Sequence, residues 1–527
     1  MTDITRKPEP QPSTRFRKIV TGGSPMNLLR LTGIAVLTMT VLVCQAESAD
    51  TTKIGYHQVR TDAEGHILPW YSAELGTAYD HNLRLVWSFW KGIDDCPNGV
   101  RYCLQHQVWK PKHDRRGVAA SQFSMTISSW NLLYGYTGDR AVLDDMVFIT
   151  DYLLSHGMSK PDAQWPNLPY PYNTDIHSGV YDGDMKAGKD VLQPDKAADF
   201  GAELVVLYKI TGTRKYLDAA VAIADTLADK VAAGDADHSP WPFRVNAQTG
   251  NLPQGVSAEY TSNWTGALRL FDDLIRLEVG KRAAYAKARE TVTAWLKQFP
   301  MKTNKWGPYF EDVPTYSDTE INAGTMALYI LDHPEWDATW KQDARAILDW
   351  SAATFGNPKW AEYGVLAIDE QTQYRVPGNS HTARHASDEL LYCERSGDTT
   401  RKAAAIRQLN WATYWVDDDG ENRYPENDIW LTDGYVDYVR HYLRAMASCP
   451  ELAPVDQNHL LRTSSVVQNI QYDDGAVTYT KFDARSSERL KFGAWTPRLI
   501  KGGTMIWNKD SKVLEVEAIE KTVIISQ

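Results

Sequence analysis

Residues 196–233 read KAADFGAELVVLYKITGTRKYLDAAVAIADTLADKVAA. An apolar run of helical length ends at Thr211-Gly212-Thr213, and a second alanine-rich run follows at once. The spacing of apolar residues in both runs predicts two helices joined by a tight turn, an αα-hairpin.

The same pattern returns along the chain, with short breaks at residues 137–139, 211–213, 279–281, 333–335 and 396–398. A hairpin of this kind cannot bury its apolar face alone, so it must stack on its neighbours. Five or six hairpins in one chain therefore predict a closed ring or a solenoid.

Apolar periodicity predicts twelve helices, which make six hairpins if the first pairs with the last. The long connections all precede the more apolar helix of a hairpin, so in a ring they gather on one face. We expect this face, at the N-terminal ends of the inner helices, to carry the active site. The predicted helices are 79–92, 119–137, 140–156, 196–211, 214–233, 258–279, 281–298, 317–332, 337–355, 383–396, 399–416 and 427–447.

The two ends of the chain differ from this helical region. Residues 1–46 combine basic residues with an apolar stretch, which predicts a secretory signal and a secreted or periplasmic protein. Cys44 is a possible lipid anchor at the outer surface, and no other stretch is long and apolar enough for a membrane span. From residue 456, short alternating runs around Asp474-Gly475 predict a small antiparallel β-domain, 456–527, after a helical domain, 55–450.

Charge and cysteine content restrict the function. The formal net charge of −11 disfavours duplex nucleic acid as a partner, because that binding depends on neutralising phosphates. Cys96 and Cys103 are close enough in sequence for a disulfide in an oxidising compartment, and Cys393 is expected to be a buried thiol. No zinc-binding spacing is found in the sequence.

A ring of hairpins followed by a β-tail resembles the six-hairpin (α/α)6-toroid superfamily of glycan-active enzymes. The resemblance covers most of residues 75–450 and implies a mainly α fold. It also implies a glycoside hydrolase, polysaccharide lyase or uronyl epimerase activity. It rests on architecture, so no catalytic residue is transferred from any one family.

Aromatic residues are frequent in the long connections, where they can stack on the apolar faces of sugar rings. The alternative is that a chain with 19 tryptophans packs its loops with aromatic side chains. The aromatic candidates for substrate binding are Trp165, Tyr172, Trp264, Trp306, Tyr316 and Trp430.

Carboxyl groups supply the candidate acid and base, since glycoside hydrolysis needs one protonated and one ionised carboxyl. Glu311 and Asp312 lie between aromatic residues just before a predicted inner helix, and Asp388 lies in another. Asp318 is a further carboxylate, but it also suits an N-cap.

Histidines next to these carboxylates suggest proton transfer. His385 and His177 are catalytic candidates, and His381 is expected to contact substrate. His381 and His385 are four residues apart, so they could also share a metal, but the glutamate of an HExxH motif is absent, and we predict no metal cofactor. Asp182 and Asp184 leave a structural calcium site open.

Cations in the loops suggest the charge of the substrate. Arg244, Arg375 and Arg384, together with the helix N-termini, favour a glycan that contains uronic acid. The alternative is that these arginines pair with loop acids and that a neutral sugar binds.

Three functions follow from these residues. The first is an exported, exo-acting glycoside hydrolase on an acidic polysaccharide or oligosaccharide. The second is a lyase or epimerase on the same scaffold, in which His177, His385, Tyr316 and Arg384 would remove the C5 proton and neutralise the uronate. The third is a glycan-binding surface protein without catalysis.

Overall fold

The computed structural model describes residues 52–93, 120–175, 178–422 and 437–527, and the chain from Thr51 to Gln527 is one compact unit. The described helices are α1 Leu75–Lys91, α2 Phe123–Thr137, α3 Arg140–His156, α4 Pro194–Thr211, α5 Arg214–Lys230, α6 Thr265–Arg276, α7 Arg282–Gln298, α8 Pro300–Thr303, α9 Glu320–Asp332, α10 Trp340–Phe355, α11 Asn379–Ser396, α12 Lys402–Thr413 and α13 Tyr438–Ser448.

Six of these helices form a closed inner ring. They pack in the order α2, α4, α6, α9, α11 and α13, and α13 returns to contact α2. The outer helices α3, α5, α7, α10 and α12 each pack against the inner helix that precedes them, and α1 packs against α13. This arrangement confirms the predicted (α/α)6 toroid, with its first and last helices paired.

The tight turns explain why the hairpins are so regular. Gly138 and Gly212 follow α2 and α4 with φ of 70°, a left-handed conformation that glycine adopts without steric cost. Each glycine N–H donates to the carbonyl four residues earlier, which closes the last turn of the helix. The chain can then reverse at once into the outer helix.

Several helix starts differ from the sequence prediction, among them α1 at Leu75 rather than residue 79 and α2 at Phe123 rather than residue 119. α6 begins at Thr265 rather than residue 258, because Thr261 and Ser262 donate their hydroxyls to the carbonyls of Pro308 and Trp306, at 2.8 and 2.6 Å. These bonds hold the preceding segment against another loop in a non-helical form. α11 begins earlier than predicted, at Asn379 rather than residue 383, so His381 lies in its first turn.

The C-terminal region forms two four-stranded antiparallel sheets, in the orders β11-β14-β17-β16 and β12-β13-β18-β15. This confirms the predicted antiparallel β-structure, including the hairpin at Gly475. Its strands are β11 Asn458–Thr463, β12 Val467–Asp473, β13 Ala476–Lys481, β14 Ser486–Phe492, β15 Leu499–Lys501, β16 Gly503–Asn508, β17 Val513–Ala518 and β18 Thr522–Ser526.

Short two-residue strands stiffen the long connections of the toroid by pairing locally. They are β1 Lys53–Ile54, β2 His57–Gln58, β3 Arg60–Thr61, β4 Ile67–Leu68, β5 Gly183–Asp184, β6 Gly188–Lys189, β7 Val191–Leu192, β8 Val245–Asn246, β9 Gly356–Asn357 and β10 Ala367–Ile368.

The β-sheets pack on the C-terminal ends of the inner helices. His459 of β11 stacks on Tyr136 of α2 with ring centroids 3.8 Å apart. Gln468 of β12 donates to the carbonyl of Lys209 in α4 at 2.9 Å. The long connections are therefore left at the opposite, N-terminal ends of the same helices.

Several sequence predictions fall outside the described residues: the signal segment 1–46 with Cys44, the Cys96–Cys103 pair, and the site candidates His177 and Trp430. Cys393 is a buried free thiol, as predicted. Among the helices of the described ranges, none has the length and apolar character needed to cross a membrane.

Candidate active site

A cavity of about 380 Å³ lies inside the ring and receives side chains from all six inner helices. Polar and charged residues dominate its wall. They are Ser124, Ser128, Asn131, Asp199, Glu203, Asn263, Thr265, Arg269, Thr325, Asp332, His333, Arg384, Arg440 and Arg444, with Thr463 from β11. A pocket of this size suits a small ligand or the end of a chain.

A lysine–carboxylate cluster lies next to the cavity wall, at the start of α4. The Lys196 ammonium is buried, 2.7 Å from Asp195 and 2.8 Å from the carbonyl of Tyr309, and it lies 3.5 Å from the centre of the Tyr309 ring. Asn263 joins this cluster to the cavity, because its amide donates to both Asp195 and Asp199.

Asp199 is the cavity carboxyl that is best prepared to hold a proton at neutral pH. Burial raises the pKa of Asp199 to about 7, with a further upward effect from Asp195, while the hydrogen bond from Asn263 opposes it. Glu203 lies one turn further along α4 and forms an ion pair with Arg269 at 2.7 Å. The same helix face therefore presents a carboxyl that can be protonated and a carboxylate held by a cation.

Glu311 lies near the lysine cluster, in the connection that also carries Tyr309. Burial raises the pKa of Glu311 to about 7, against the lowering effect of Lys196, and Ser121 donates to its carboxylate at 3.3 Å. Burial also raises the pKa of its neighbour Asp312. Tyr309 lines the cavity, but neither Glu311 nor Asp312 is among the described residues that do so.

A second ionic cluster joins α9, α11 and α13. Arg384 pairs with Glu320 at 2.5 Å and with Asp437, and its guanidinium is 3.0 Å from His381 Nδ1. Burial is the largest single effect and would raise the carboxyl pKa values, but Arg384 together with the neighbouring histidines and, at Asp437, Arg440 outweighs it and lowers the pKa of both Glu320 and Asp437. These carboxylates therefore stay ionised.

Histidines at this cluster are neutral in the folded protein. Burial lowers the pKa of both His381 and His385, although Glu320 and Glu389 oppose it respectively. Phe310 contacts His381 edge to face at 5.8 Å, so the connection that carries Glu311 also reaches this cluster. The candidates around residue 311 and those around residue 381 are therefore brought together at one end of the ring.

Asp388 lies between two inner helices rather than on the cavity wall. It is fully buried beside Gly324 of α9, and its two carboxyl oxygens have no hydrogen-bond partner in the described part of the chain. Burial and the charge of Glu320 raise the pKa of Asp388 well above its usual range. It is therefore a protonated carboxyl packed between two inner helices, and it is not among the described lining residues.

The other described candidates are mostly packed away from the cavity. Arg244 is fully buried and binds Asp184 and the carbonyls of Ser257 and Glu311, so it positions the connection that carries Glu311. Arg375 is exposed and donates to the carbonyl of Thr354 at 2.9 Å. Arg384 is the predicted anion-binding residue that lines the cavity, and there it is already paired.

The predicted aromatic contacts are largely core residues. Trp264 and Trp306 are fully buried, and Tyr172 and Trp165 are nearly so. Tyr316 is partly exposed, and its hydroxyl donates to Asp318 at 2.8 Å. The fully buried rings offer no face to a sugar in this conformation, as the alternative of aromatic loop packing anticipated.

The described residues contain no cluster of side chains arranged to bind a metal ion. Within the described ranges, no group of three or more histidine, cysteine, aspartate or glutamate side chains has a spacing suited to a metal ion. Asp184, a calcium candidate, is occupied by Arg244 and by Gln193 at 2.9 and 2.6 Å.

Asp199 and Glu203 were not predicted as site residues from the sequence. Both lie in the stretch that defines the hairpin, at positions with i, i+4 spacing on an otherwise apolar inner helix. Acids on a helix that is buried on both sides are costly unless they serve a purpose. Two acidic residues within a helix predicted to be buried were therefore the feature of the sequence that could have identified this site.

The comparisons with known proteins establish the fold. No protein-family model matches the chain, and no curated protein matches it. Solved structures that do match include a sugar epimerase from a ruminal bacterium, at 11% identity over 71% of this chain and 98% of that chain, with a TM-score of 0.52. A D-mannose isomerase matches at 12% identity over 72% of this chain and 99% of that chain, with a TM-score of 0.51.

A cellobiose 2-epimerase from Spirochaeta thermophila also matches, at 15% identity over 70% of this chain and 95% of that chain, with a TM-score of 0.50. These similarities confirm the predicted resemblance to the six-hairpin superfamily at the level of fold.

Proposed function

We propose that this protein is an exported glycoside hydrolase that removes units from the end of a glycan containing uronic acid. The observation that carries the proposal is the pair on α4. Asp199 has a pKa of about 7 on the cavity wall, and Glu203 is ion-paired with Arg269 one turn away. Glycosidases need this division into one protonated and one ionised carboxyl.

In the proposed reaction, Asp199 donates its proton to the glycosidic oxygen as the bond to the leaving sugar breaks. Glu203, one turn away on the same helix face, takes a proton from the water molecule whose oxygen bonds to the anomeric carbon. Lys196, Asp195 and Asn263 fix the position of Asp199 through hydrogen bonds. Glu311 remains the alternative acid, because its pKa is also about 7.

Two features support an end-on attack on an acidic glycan. The cavity is enclosed by a ring of helices and has the volume of a pocket rather than of an open groove. Its wall carries four arginines, of which Arg269, Arg384 and Arg440 are paired with carboxylates, so Arg444 is the one that favours an anionic ligand among the described residues.

Elimination or epimerisation is the second candidate. The fold is shared with proteins described as sugar epimerases and as a mannose isomerase. The neutral His381 next to Arg384 has the protonation state that a base for C5 needs. The cavity-lining tyrosines are less suitable, because burial raises the pKa of Tyr329 to about 12 and also raises that of Tyr309.

The test is product analysis with purified protein on oligosaccharides that contain glucuronate or galacturonate. Hydrolysis predicts new reducing ends, released one unit at a time, without ultraviolet absorption. An unsaturated, ultraviolet-absorbing product would identify a lyase, and a change of sugar configuration without cleavage would identify an epimerase. Binding without any turnover would identify the non-catalytic alternative.

A further inference from the structure

Arg440 and Arg444 are one helical turn apart on α13, and both line the central cavity. Like charges at this spacing repel each other. Arg440 is compensated, because it forms an ion pair with Asp437. The repulsion therefore falls mainly on Arg444.

Arg444 has no such compensation. Over the described ranges, its guanidinium forms no ion pair within 4.0 Å and no hydrogen bond, whereas Arg269 and Arg384 in the same cavity are both paired. Asp332 acts on Arg444 as a more distant charge. Its nitrogen atoms are not among the buried unpartnered atoms, so they are reachable from the cavity.

The environment of Arg444 is therefore unfavourable for a cation without a ligand. Burial and the charge of Arg440 lower the pKa of Arg444 to about 10, but it remains charged at neutral pH. A bound oxyanion would replace the missing partner and reduce the repulsion between the two arginines.

We propose that Arg444, assisted by Arg440, forms a subsite for an oxyanion carried by the glycan, either the carboxylate of a uronic acid or a sulfate ester. The assignment to a glycan rests on the proposed function. The planar guanidinium fork matches both groups. Because α13 and α4 are not neighbours in the ring, an anion on Arg444 lies away from Asp199. The sugar between them can present its glycosidic oxygen to Asp199.

The experiment measures binding by calorimetry with three probes: D-glucuronate, inorganic sulfate and glucose. The test variant is Arg444→Met, which keeps much of the side-chain volume and removes the charge. The matched control is Arg214→Met on the outer helix α5, where Arg214 is exposed and pairs with Asp218 at 2.7 Å. Melting temperatures of the ligand-free proteins are recorded in parallel.

We expect Arg444→Met to weaken glucuronate binding roughly tenfold to a hundredfold, the effect of losing a charge-assisted hydrogen bond. Glucose binding and the Arg214→Met control should be unchanged. The melting temperature of ligand-free Arg444→Met should stay the same or rise, because an uncompensated charge has been removed. A purely structural arginine would give a lower melting temperature.

Sulfate binding that depends on Arg444, without glucuronate binding, would support the subsite and identify a sulfate ester as its ligand. Equal glucuronate affinity in wild type and Arg444→Met would overturn it, as would a parallel loss of glucose binding with a lower melting temperature. If Arg444→Met cleaves the glycan at the wild-type rate, the hydrolase proposal is retained and the subsite is rejected. If binding depends on Arg444 but no glycan is cleaved, the subsite is retained and the hydrolase proposal is rejected.

Discussion

Two pairs of carboxyl groups near the central cavity have pKa values that are shifted in opposite directions. On the α4 side, Asp199 and Glu311 have pKa values of about 7. On the α11 side, the pKa values of Glu320 and Asp437 are lowered. Burial raises the pKa in all four cases, so the difference comes from the neighbouring cations.

Arg384 reaches both Glu320 and Asp437 directly, and hydrogen bonds from His381 and His441 and the charge of Arg440 add to its effect. Together these neighbours outweigh burial, whereas Lys196, which is paired with Asp195, does not offset the burial of Glu311. The same ring can therefore keep Asp199 protonated and Glu320 and Asp437 charged. Burial alone does not identify the catalytic carboxyl.

The largest expected effect is on catalysis by the protonated Asp199. Asp199→Asn should lower kcat roughly 10²- to 10⁴-fold, because it removes the proton donor but keeps the shape. The measurement is the rate of reducing-end release from a uronic-acid oligosaccharide, with the exposed Asp218→Asn as the control. Glu311→Gln should have a smaller effect, and the reverse order would assign the acid to the connection before α9.

On the charged side, Arg384→Met should destabilise the fold by about 3–5 kcal/mol, because Glu320 and Asp437 would lose a buried partner. Urea unfolding measures this effect. Arg375→Met is the matched control, since Arg375 is exposed and makes a single bond to a carbonyl. Its change should stay within about 0.5 kcal/mol. Equal losses in the two variants would contradict the description of Arg384 as the centre of a buried ion cluster.

The pH dependence of activity should follow the ionisation of Asp199. Above a pH of about 7, the rate should fall roughly tenfold per pH unit, because Asp199 loses the proton that it donates. A pH profile of kcat tests this expectation. A rate that stays constant well above this pH would exclude Asp199 as the acid.

The smallest expected effect is on the pH dependence of stability. A raised carboxyl pKa contributes stability that is complete below the unfolded value and is lost as the pH rises through the folded value of about 7. Glu311→Gln cannot ionise, so at a pH of about 8 it should be more stable than wild type by on the order of 1–2 kcal/mol. At a pH of about 5 the two should be nearly equal. An unchanged difference across this range would contradict the raised pKa of Glu311.

The lowered pKa values of Glu320 and Asp437 have the opposite effect on the pH dependence of stability. Their contribution is present above the unfolded carboxyl value and is lost at lower pH. Acid unfolding should therefore begin on the α11 side of the ring, and deprotonation should weaken the α4 side. Hydrogen exchange followed at both extremes of pH can separate the two sides.

The sequence was sufficient to predict the ring because helical periodicity and short glycine breaks are local signals. It was less informative about the site. Arg244 lies in a long connection, as predicted, and Trp264 lies just before α6 rather than inside the predicted helix. Whether such a side chain points into a cavity or into the core depends on packing between distant segments. Asp199 was overlooked for the converse reason, since its helix was interpreted as a core element.

The pairing of α1 with α13 also has a consequence for how the molecule is made. The two halves of that hairpin come from opposite ends of the helical region, residues 75–91 and 438–448. The barrel cannot be completed until almost all of its chain has emerged, and sequence-distant contacts of this kind slow folding. Until then, the earlier hairpins expose apolar edges that a chaperone would have to shield. A circular permutant opened at Gly397, with the original ends joined, would bring α1 and α13 closer in sequence but would leave the β-sheets between them, so refolding should speed up only modestly.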